Sequence, residues 1–302
     1  MPESYRAAGV DVDAHAGWVA TLKERVGGLG FASGFDFAGR RLVAGADGVG
    51  SKLLLALQTD MLDGLGIDCV AMNVNDILTA GARPLFFLDY LAVHKLDPAV
   101  ADRLLHSLAA GCEEAGCVLL GGETAQLPDL YAAGHFDLAG FCVGAVETAP
   151  TPELMKPGDG IVGLPSHGIH SNGFALVRRI HAAHPYDVAG LLRPTRIYVK
   201  PVLAALKGGA PVRAMAHITG GGLPGNLVRG FPPGLGARLG TWPEPTVFGW
   251  LRKHVSEDEM RRVFNLGIGF ALVTPEPRAL ASQLGGHVIG EVVKGEGVLW
   301  DA

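Results

Sequence analysis

Short glycine-containing segments carry carboxylate, amide, hydroxyl and amine groups at spacings that suit phosphate chemistry. In the first, GADGVGSK at 45–52, Asp47 could hold a divalent cation and Lys52 could neutralise a phosphoryl oxygen. Its glycines would let backbone N–H groups approach phosphate oxygens closely. The segment is not a Walker A loop, because Leu53 follows the lysine where Ser or Thr is required. A glycine-rich hairpin with solvated charges is the alternative interpretation.

Two further segments of the first half supply oxygen ligands. Asp68, Asn75 and Asp76 interrupt an otherwise apolar helical pattern, and Glu123 follows a glycine pair at the end of a predicted strand. Burying unpaired carboxylates is costly, which argues for a cation or hydrogen bonds nearby. Mg²⁺ typically takes one or two carboxylates plus phosphate oxygens. Helix capping, for the first three residues, and a simple turn, for Glu123, are the alternatives.

The second half contains two turns of related composition, HGIHSNG at 167–173 and HITGGG at 217–222. Ser171 or Asn172 would cap the helix that follows, and a helix N-terminus attracts anions. Capping alone, or merely a tight turn, competes with phosphate binding. The histidines have no further nitrogen or thiolate ligands nearby in sequence, which disfavours zinc. Glycine-rich anion sites in both halves, with acidic groups clustered in the first, suit phosphoryl transfer with Mg²⁺.

Alternating strands and helices must position these segments. The clearest helix is predicted over 98–115, where apolar residues follow i, i+3, i+4, i+7 spacing and Asp97 is the natural N-cap. The proline- and glycine-rich stretch 148–160 predicts a boundary between domains 1–150 and 151–302, and the whole is α/β or α+β. Other predicted helices cover 66–82, 172–184, 223–230 and 246–253; predicted strands cover 41–46, 84–93, 117–121, 137–147, 160–164, 212–218 and 265–274.

Composition excludes several function classes. The 302 residues carry a formal net charge of only -5 and no long basic run, which disfavours nucleic-acid binding. No apolar stretch reaches transmembrane length free of charges, so we expect no membrane partner. The N-terminal stretch has Asp11 and Asp13 and no apolar run, so we expect no secretory signal and a cytoplasmic location. The four cysteines lack C-x-x-C spacing and are expected to be buried thiols.

Longer runs of the sequence resemble the phosphoribosylformylglycinamidine cyclo-ligase family, also called AIR synthetases. The resemblance rests on GADGVGSKL, GIDCVAMNVNDILTAGARPLFFLDYLA, GGETAQLPDLY and DLAGFCVGAVE in the first half, and on HSNGFALVRRI, PTRIYVKPVL, AHITGGGLPGNL and VFNLGIGF in the second. It implies a two-domain α/β (α+β) fold in which the N-terminal sheets of two subunits form a shared barrel in a homodimer. It also implies an enzyme that uses ATP and Mg²⁺ to convert formylglycinamidine ribonucleotide into aminoimidazole ribonucleotide, ADP and phosphate in purine biosynthesis.

The resemblance also implies roles for individual residues. Lys52, Asp47 and His170 become the catalytic candidates, with His170 as a general acid or base or a phosphate contact. The implied metal ligands are Asp47, Asp68, Asp76 and Glu123. The implied nucleotide and phosphate contacts are Lys23, Gly45, Gly48, Gly50, Ser51, Lys52, Asn75, Ser171, Asn172, Gly173, Thr219, Gly220, Gly221 and Gly222.

Two alternative functions remain open on the sequence. One is another ATP-dependent enzyme of the same superfold, of the selenide water dikinase or thiamine-monophosphate kinase type. A selenium enzyme would be expected to need a reactive cysteine near its N-terminus, whereas the first cysteine here is Cys69. The other, from a different class, is a non-catalytic nucleotide-binding subunit.

Overall fold

The structure is a computed structural model that describes residues 3–10 and 31–301 together with residues 14, 17, 18, 21, 22 and 25. The first half contains a five-stranded sheet in the order β1-β2-β5-β3-β4. The β3–β4 pair is parallel and the other three pairs are antiparallel. Its strands are β1 (Ser33–Phe37), β2 (Arg40–Gly48), β3 (Ala82–Val93), β4 (Val118–Gln126) and β5 (Phe136–Val146).

Helices α1 (Lys52–Thr59), α2 (Leu65–Leu78) and α3 (Pro98–Ala115) belong to the same half, and α2 packs on β2, β3 and β5. The α3 prediction is confirmed: the Asp97 side chain accepts from Ala99 N–H and Val100 N–H, and Gly116 ends the helix at φ 75°. The α2 helix ends at Leu78, four residues before the predicted end at 82. Gly81 at φ 71° turns the chain there, so close to the Thr148 carbonyl that no Cβ fits.

The second half contains a six-stranded sheet in the order β11-β8-β10-β6-β9-β7. The strands are β6 (Gly160–Pro165), β7 (Ala214–His217), β8 (Leu235–Leu239), β9 (Ile268–Thr274), β10 (His287–Lys294) and β11 (Val298–Trp300). The helices are α4 (Phe174–Ala183), α5 (Val188–Leu191), α6 (Val199–Lys207), α7 (Gly222–Asn226), α8 (Thr246–Leu251), α9 (Glu257–Val263) and α10 (Pro277–Leu284), with 3₁₀ turns at Pro152–Leu154 and Leu227–Gly230.

Several of these elements differ from the sequence predictions. The predicted strand 117–121 continues to Gln126, so the GGET segment lies within β4 and not in a loop after it. The predicted helix 223–230 is a short α-helix followed by a 3₁₀ turn. Elements without a clear periodic signal, such as α1, α6 and β10, were not predicted at all.

The main apolar core is continuous across the two halves. It joins Cys69 and Leu78 of α2 to Phe174 of α4, to Tyr198 at the N-cap of α6 and to Val202 within α6. Within the part of the chain that the structure describes, no helix has the length and apolar character needed to cross a membrane.

Candidate functional site

Asp47 lies at the end of β2, where the chain turns through Gly50 into α1. Its Oδ1 accepts from Gly48 N–H at 2.7 Å, and the Asn73 side-chain amide of α2 donates to the Asp47 carbonyl at 3.1 Å. Gly50 has φ 69° and open space where a Cβ would stand, so its backbone is accessible to a ligand. The Asn73 side chain of α2 therefore holds the loop at Asp47, and the loop is open at Gly50.

A second carboxylate from α2 stands beside this loop. Burial and the negative charge of Asp76 raise the pKa of Asp47 to about 6, which is the effect expected of two nearby carboxylates without a cation. Asp76 also contacts the second half of the chain, where His217 Nδ1 of β7 lies 2.8 Å from Asp76 Oδ1. Because His217 ends β7, this contact brings the glycine turn that follows it next to the carboxylate pair.

The two turns of the second half lie against each other. A Cβ on Gly220 would stand 3.4 Å from Asn172 Oδ1, so the HSNG and TGGG segments meet there. The Asn226 amide, itself buried, donates to the carbonyls of Thr219, Gly220 and Gly222 and holds that turn in place. We call the group of Asp47, Asp76, His217, Asn172 and Thr219–Gly222 the carboxylate–glycine site.

Lys52 and Asp68, predicted to contact phosphate and metal, pair with each other in the structure. Both side chains have zero exposure, and the Lys52 ammonium lies 2.7 Å from Asp68 Oδ2. Lys52 also donates to the Arg193 carbonyl at 2.9 Å. Burial lowers the pKa of Lys52, and the Asp68 carboxylate opposes that shift. The sequence could not show this because the Arg193 carbonyl, which accepts from Lys52, belongs to the other half of the chain.

Asn75, Ser171 and His170 also have internal partners. Asn75 donates to the Arg196 carbonyl and accepts from Tyr198 N–H, so both ends of its amide are occupied. Ser171 does not cap α4: its hydroxyl donates to Asp68 at 3.0 Å, and the N-cap position belongs to Gly173 at φ 78°.

His170 is 2% exposed, and its Nε2 accepts from the His167 N–H of its own turn at 3.1 Å. Burial lowers its pKa well below the usual range, so the ring is neutral. Its backbone φ of 64° is unusual for a residue other than glycine. These contacts are those of a side chain that stabilises the HGIHSNG turn.

Glu123 lies on the opposite face of the first sheet from Asp47. The pairs Asp47–Gly140, Gly140–Asp89 and Asp89–Gly122 form one row across four strands. Glu123 follows Gly122 in the same strand, and successive strand side chains point to opposite faces. The four predicted metal ligands are therefore not brought together. Over residues 3–10, 31–301 and the isolated described positions, no three His, Cys, Asp or Glu side chains form a group able to hold a metal ion.

The remaining predicted phosphate contacts of the first half are Lys23, Gly45, Gly48, Gly50 and Ser51. Gly50 and Ser51 lie in the loop between β2 and α1, whereas Gly48 is the last residue of β2 and pairs with Ala139. Gly45 lies within β2, where its Cβ would stand 3.8 Å from Ile77 of α2. Lys23 lies outside the described residues.

Three further residues near the site were not assigned roles from the sequence. His217 precedes the TGGG turn, and that position was the available signal. Asp89 lines a cavity of about 490 Å³ between α3 and the sheet, and burial raises its pKa. Arg229 stacks on Phe31 at 4.4 Å; partial burial lowers its pKa, and the charge of Asp76 opposes the shift.

Two family models match most of the chain. The model for the AIR synthase related protein, N-terminal domain, matches residues 32–146. The model for the C-terminal domain of the same proteins matches residues 156–301.

Curated relatives match over nearly the whole length. A phosphoribosylformylglycinamidine cyclo-ligase from Gloeobacter violaceus is 49% identical, with 97% of this chain and 98% of the relative covered. The same name is given to a Geobacillus kaustophilus protein that is 47% identical, with coverages of 99% and 98%. A chloroplastic/mitochondrial cyclo-ligase of Vigna unguiculata is 45% identical, with coverages of 98% and 82%.

Solved structures share the fold at low identity. A ThiL protein complexed with AMPPCP and TMP has a TM-score of 0.72 at 18% identity, covering 95% of this chain and 93% of that one. The hydrogenase maturation protein HypE in complex with ATP has a TM-score of 0.63 at 18% identity, with coverages of 85% and 78%. Together with the family models, these matches confirm the predicted two-domain α/β fold.

Proposed function

The chain belongs to the AIR synthase related protein family, and we propose that it is a phosphoribosylformylglycinamidine cyclo-ligase. It converts ATP and formylglycinamidine ribonucleotide into aminoimidazole ribonucleotide, ADP and phosphate. The observation that carries this proposal is the identity of 45–49%, over 97–99% of this chain, to several proteins of that name. It is the activity that the sequence motifs implied.

The reaction must turn a poor leaving group into a good one. A formyl amide oxygen does not leave at neutral pH, but transfer of the γ-phosphoryl group of ATP onto it gives an iminophosphate. The amidine nitrogen then attacks the same carbon, the oxygen departs with phosphate, and the nitrogen loses a proton. Holding both reacting groups in one conformer contributes up to about 7–11 kcal/mol in favourable cases.

The carboxylate–glycine site offers groups for each part of this task. Backbone N–H groups around Gly50 and of Gly220 and Gly221 would bind phosphate oxygens, since glycines allow close approach. Asn172 at the junction of the two turns would orient the ribonucleotide. Asp76 contacts His217 Nδ1 at 2.8 Å and so would hold the ring in place beside the TGGG turn.

A magnesium ion fits the site on electrostatic grounds. Asp47 is a carboxylate whose pKa is raised to about 6 by burial and by Asp76, and a cation would relieve both effects. Two carboxylates plus phosphate oxygens are a usual Mg²⁺ ligand set. Asp47 and Asp76 would hold the ion, which would neutralise charge on the transferred phosphoryl group. The complexes of structural neighbours with AMPPCP and with ATP support ATP as the nucleotide.

An assay of ATP turnover tests the function directly. We expect ADP release to require formylglycinamidine ribonucleotide and to yield aminoimidazole ribonucleotide in equal amount. ADP release with thiamine monophosphate in its place would indicate a kinase of the shared superfold. Nucleotide binding without turnover on any substrate would indicate a non-catalytic subunit.

Asp76→Asn tests the proposed metal pair. Mg-ATP at a hundredfold excess over its dissociation constant should stabilise the parent by about 2.7 kcal/mol. The variant should gain much less, because one ligand charge is gone. Melting curves with and without Mg-ATP measure this, with Asp97→Asn at the α3 cap as the matched control. An equal gain in parent and variant would show that Asp76 does not bind the nucleotide–metal complex.

We also propose a homodimer formed through the first sheet. One face of that sheet is covered by α2, whereas the other exposes Phe35, Tyr90, Val118, Leu120 and Phe141. Several exposed apolar side chains on one face of a sheet are typical of an interface. A second copy of the same face would cover it, as the family resemblance implies.

A further inference from the structure

The segment 193–198 of the second half lies along one stripe of α2 in the first half. A Cβ on Gly64, the N-cap of α2, would stand 2.8 Å from Pro194. Asp68, one turn further, accepts from both Thr195 N–H and the Thr195 hydroxyl at 2.7 Å. Asn75, two turns beyond, binds the backbone on either side of Ile197. Backbone groups of a segment without regular structure are thus satisfied by buried side chains of another domain.

Lys52 completes this contact from α1. Its ammonium contacts the Arg193 carbonyl and Asp68 Oδ2, the carboxylate oxygen that does not bind Thr195. The centroid of the Phe174 ring lies 5.7 Å from the nitrogen. Breaking a buried ion pair by removing one partner leaves an uncompensated charge, which is strongly destabilising. The pair is therefore matched within the fold and needs no ligand.

The same carboxylate also fixes a turn of the carboxylate–glycine site. Asp68 Oδ1 accepts from Ser171, and the Ser171 hydroxyl lies 3.0 Å from Thr195 Oγ1. Ser171 immediately precedes Asn172, whose side chain meets Gly220. A chain of contacts thus runs from Lys52 through Asp68 and Ser171 to the site.

We propose that Lys52 and Asp68 are positioning residues: their buried pair docks segment 193–198 on α2 and sets the place of the HSNG turn opposite Asp47 and Asp76. Neither side chain binds nucleotide or metal. The proposal rests on the proposed function only in taking the carboxylate–glycine site to be the reacting site.

The experiment compares Lys52→Met, Asp68→Asn and the double variant with the parent. Lys52→Met should lower the melting temperature by about 5–10 °C, since Asp68 is left buried without its partner. Its kcat should fall more than tenfold. In the double variant no buried charge is unmatched, and the new amide oxygen can still accept from Thr195 N–H. Half or more of the lost melting temperature should therefore return, with kcat within about tenfold of the parent. The KM for Mg-ATP should stay within threefold throughout.

Lys200→Met is the matched control. Lys200 also donates across the two halves, to the Glu113 carbonyl at 2.9 Å, but it is exposed and has no buried charge partner. It should change neither melting temperature nor kcat appreciably.

Two results for the double variant would overturn the proposal in favour of direct phosphate contact. One is a restored melting temperature with kcat still reduced more than a hundredfold. The other is a strongly raised KM for Mg-ATP. If Lys52→Met does not fold, the double variant alone decides. If the parent shows no cyclo-ligase turnover, the proposed function fails, while melting temperatures and Mg-ATP affinity of the four proteins still test the positioning role.

Discussion

Asp47 and Asp68 are carboxylates of the same half of the chain in opposite surroundings. Asp68 faces an ammonium group and accepts three hydrogen bonds from Ser171 and Thr195. Asp47 has a like charge beside it and accepts one backbone hydrogen bond. Asp68 is therefore satisfied by the fold, whereas Asp47 is held at a cost that a bound cation would remove.

This difference predicts a pH dependence for Asp47→Asn in the metal-free protein. The folded state raises the pKa of Asp47 from the ordinary 3.8 to about 6, so it holds the proton more tightly than the unfolded chain does. Stability is therefore lost as the pH rises from about 4 to about 6. Above that window, the Asp47→Asn variant should be more stable than the parent by up to about 3 kcal/mol, because it has no carboxylate to ionise.

Urea unfolding at pH 4 and pH 7 in the presence of a chelator measures this effect. The advantage of the variant should be large at pH 7 and nearly absent at pH 4. An advantage that is the same at both pH values would contradict its origin in ionisation.

At the level of elements, α2 is used on several sides. One side packs on the sheet, one stripe binds segment 193–198, and another meets α3 at close range. The α3 contact depends on Gly66 and Gly111: a Cβ at Gly66 would stand 2.2 Å from the Leu108 backbone nitrogen, and one at Gly111 would stand 3.0 Å from Val70. The position of α2, and with it Asp76, depends on this close helix crossing.

Gly66→Ala should therefore destabilise the protein by about 2 kcal/mol or more, because the backbones of α2 and α3 must separate. Gly249→Ala in α8 is the matched control, since its Cβ would meet nothing within 4 Å. That change should stabilise by about 0.5–1 kcal/mol through helix propensity alone. Chemical denaturation of both variants decides between them, and equal effects would show that the crossing tolerates a methyl group.

At the scale of the whole molecule, the two halves share a core but differ in what they expose. The uncovered face of the first sheet predicts that dimerisation depends on Phe141, which lies on the central strand β5. Phe141→Glu should yield a monomer at micromolar concentration, because a charge would be buried in the interface. Leu154→Glu, at an exposed residue of the 3₁₀ turn Pro152–Leu154 and not on a strand of the first sheet, should leave the dimer intact.

Sedimentation velocity on the three proteins tests this prediction. A monomeric parent would contradict the homodimer itself. A dimeric Phe141→Glu variant would place the interface elsewhere.

The sequence alone determined what depends on local order. Periodicity and capping predicted α3 from Pro98 to Ala115 with its Asp97 cap, and the core of α2 and β3. The order of motifs indicated the family and its reaction, which the family models and relatives bear out. These signals are readable because helical spacing, caps and motif residues lie within a few positions of one another.

Only the tertiary structure decided which polar residues face one another. The sequence predicted Lys52 and Asp68 as ligands and could not show their hydrogen-bond partners Arg193, Ser171 and Thr195, which lie more than 100 residues away. The sequence predicted a loop at Glu123, whereas the structure places Glu123 within β4. There the alternation of strand side chains points it away from the face of Asp47. Burial and register are set by long-range packing, so residue type and spacing cannot tell a ligand from a carboxylate that the fold itself satisfies.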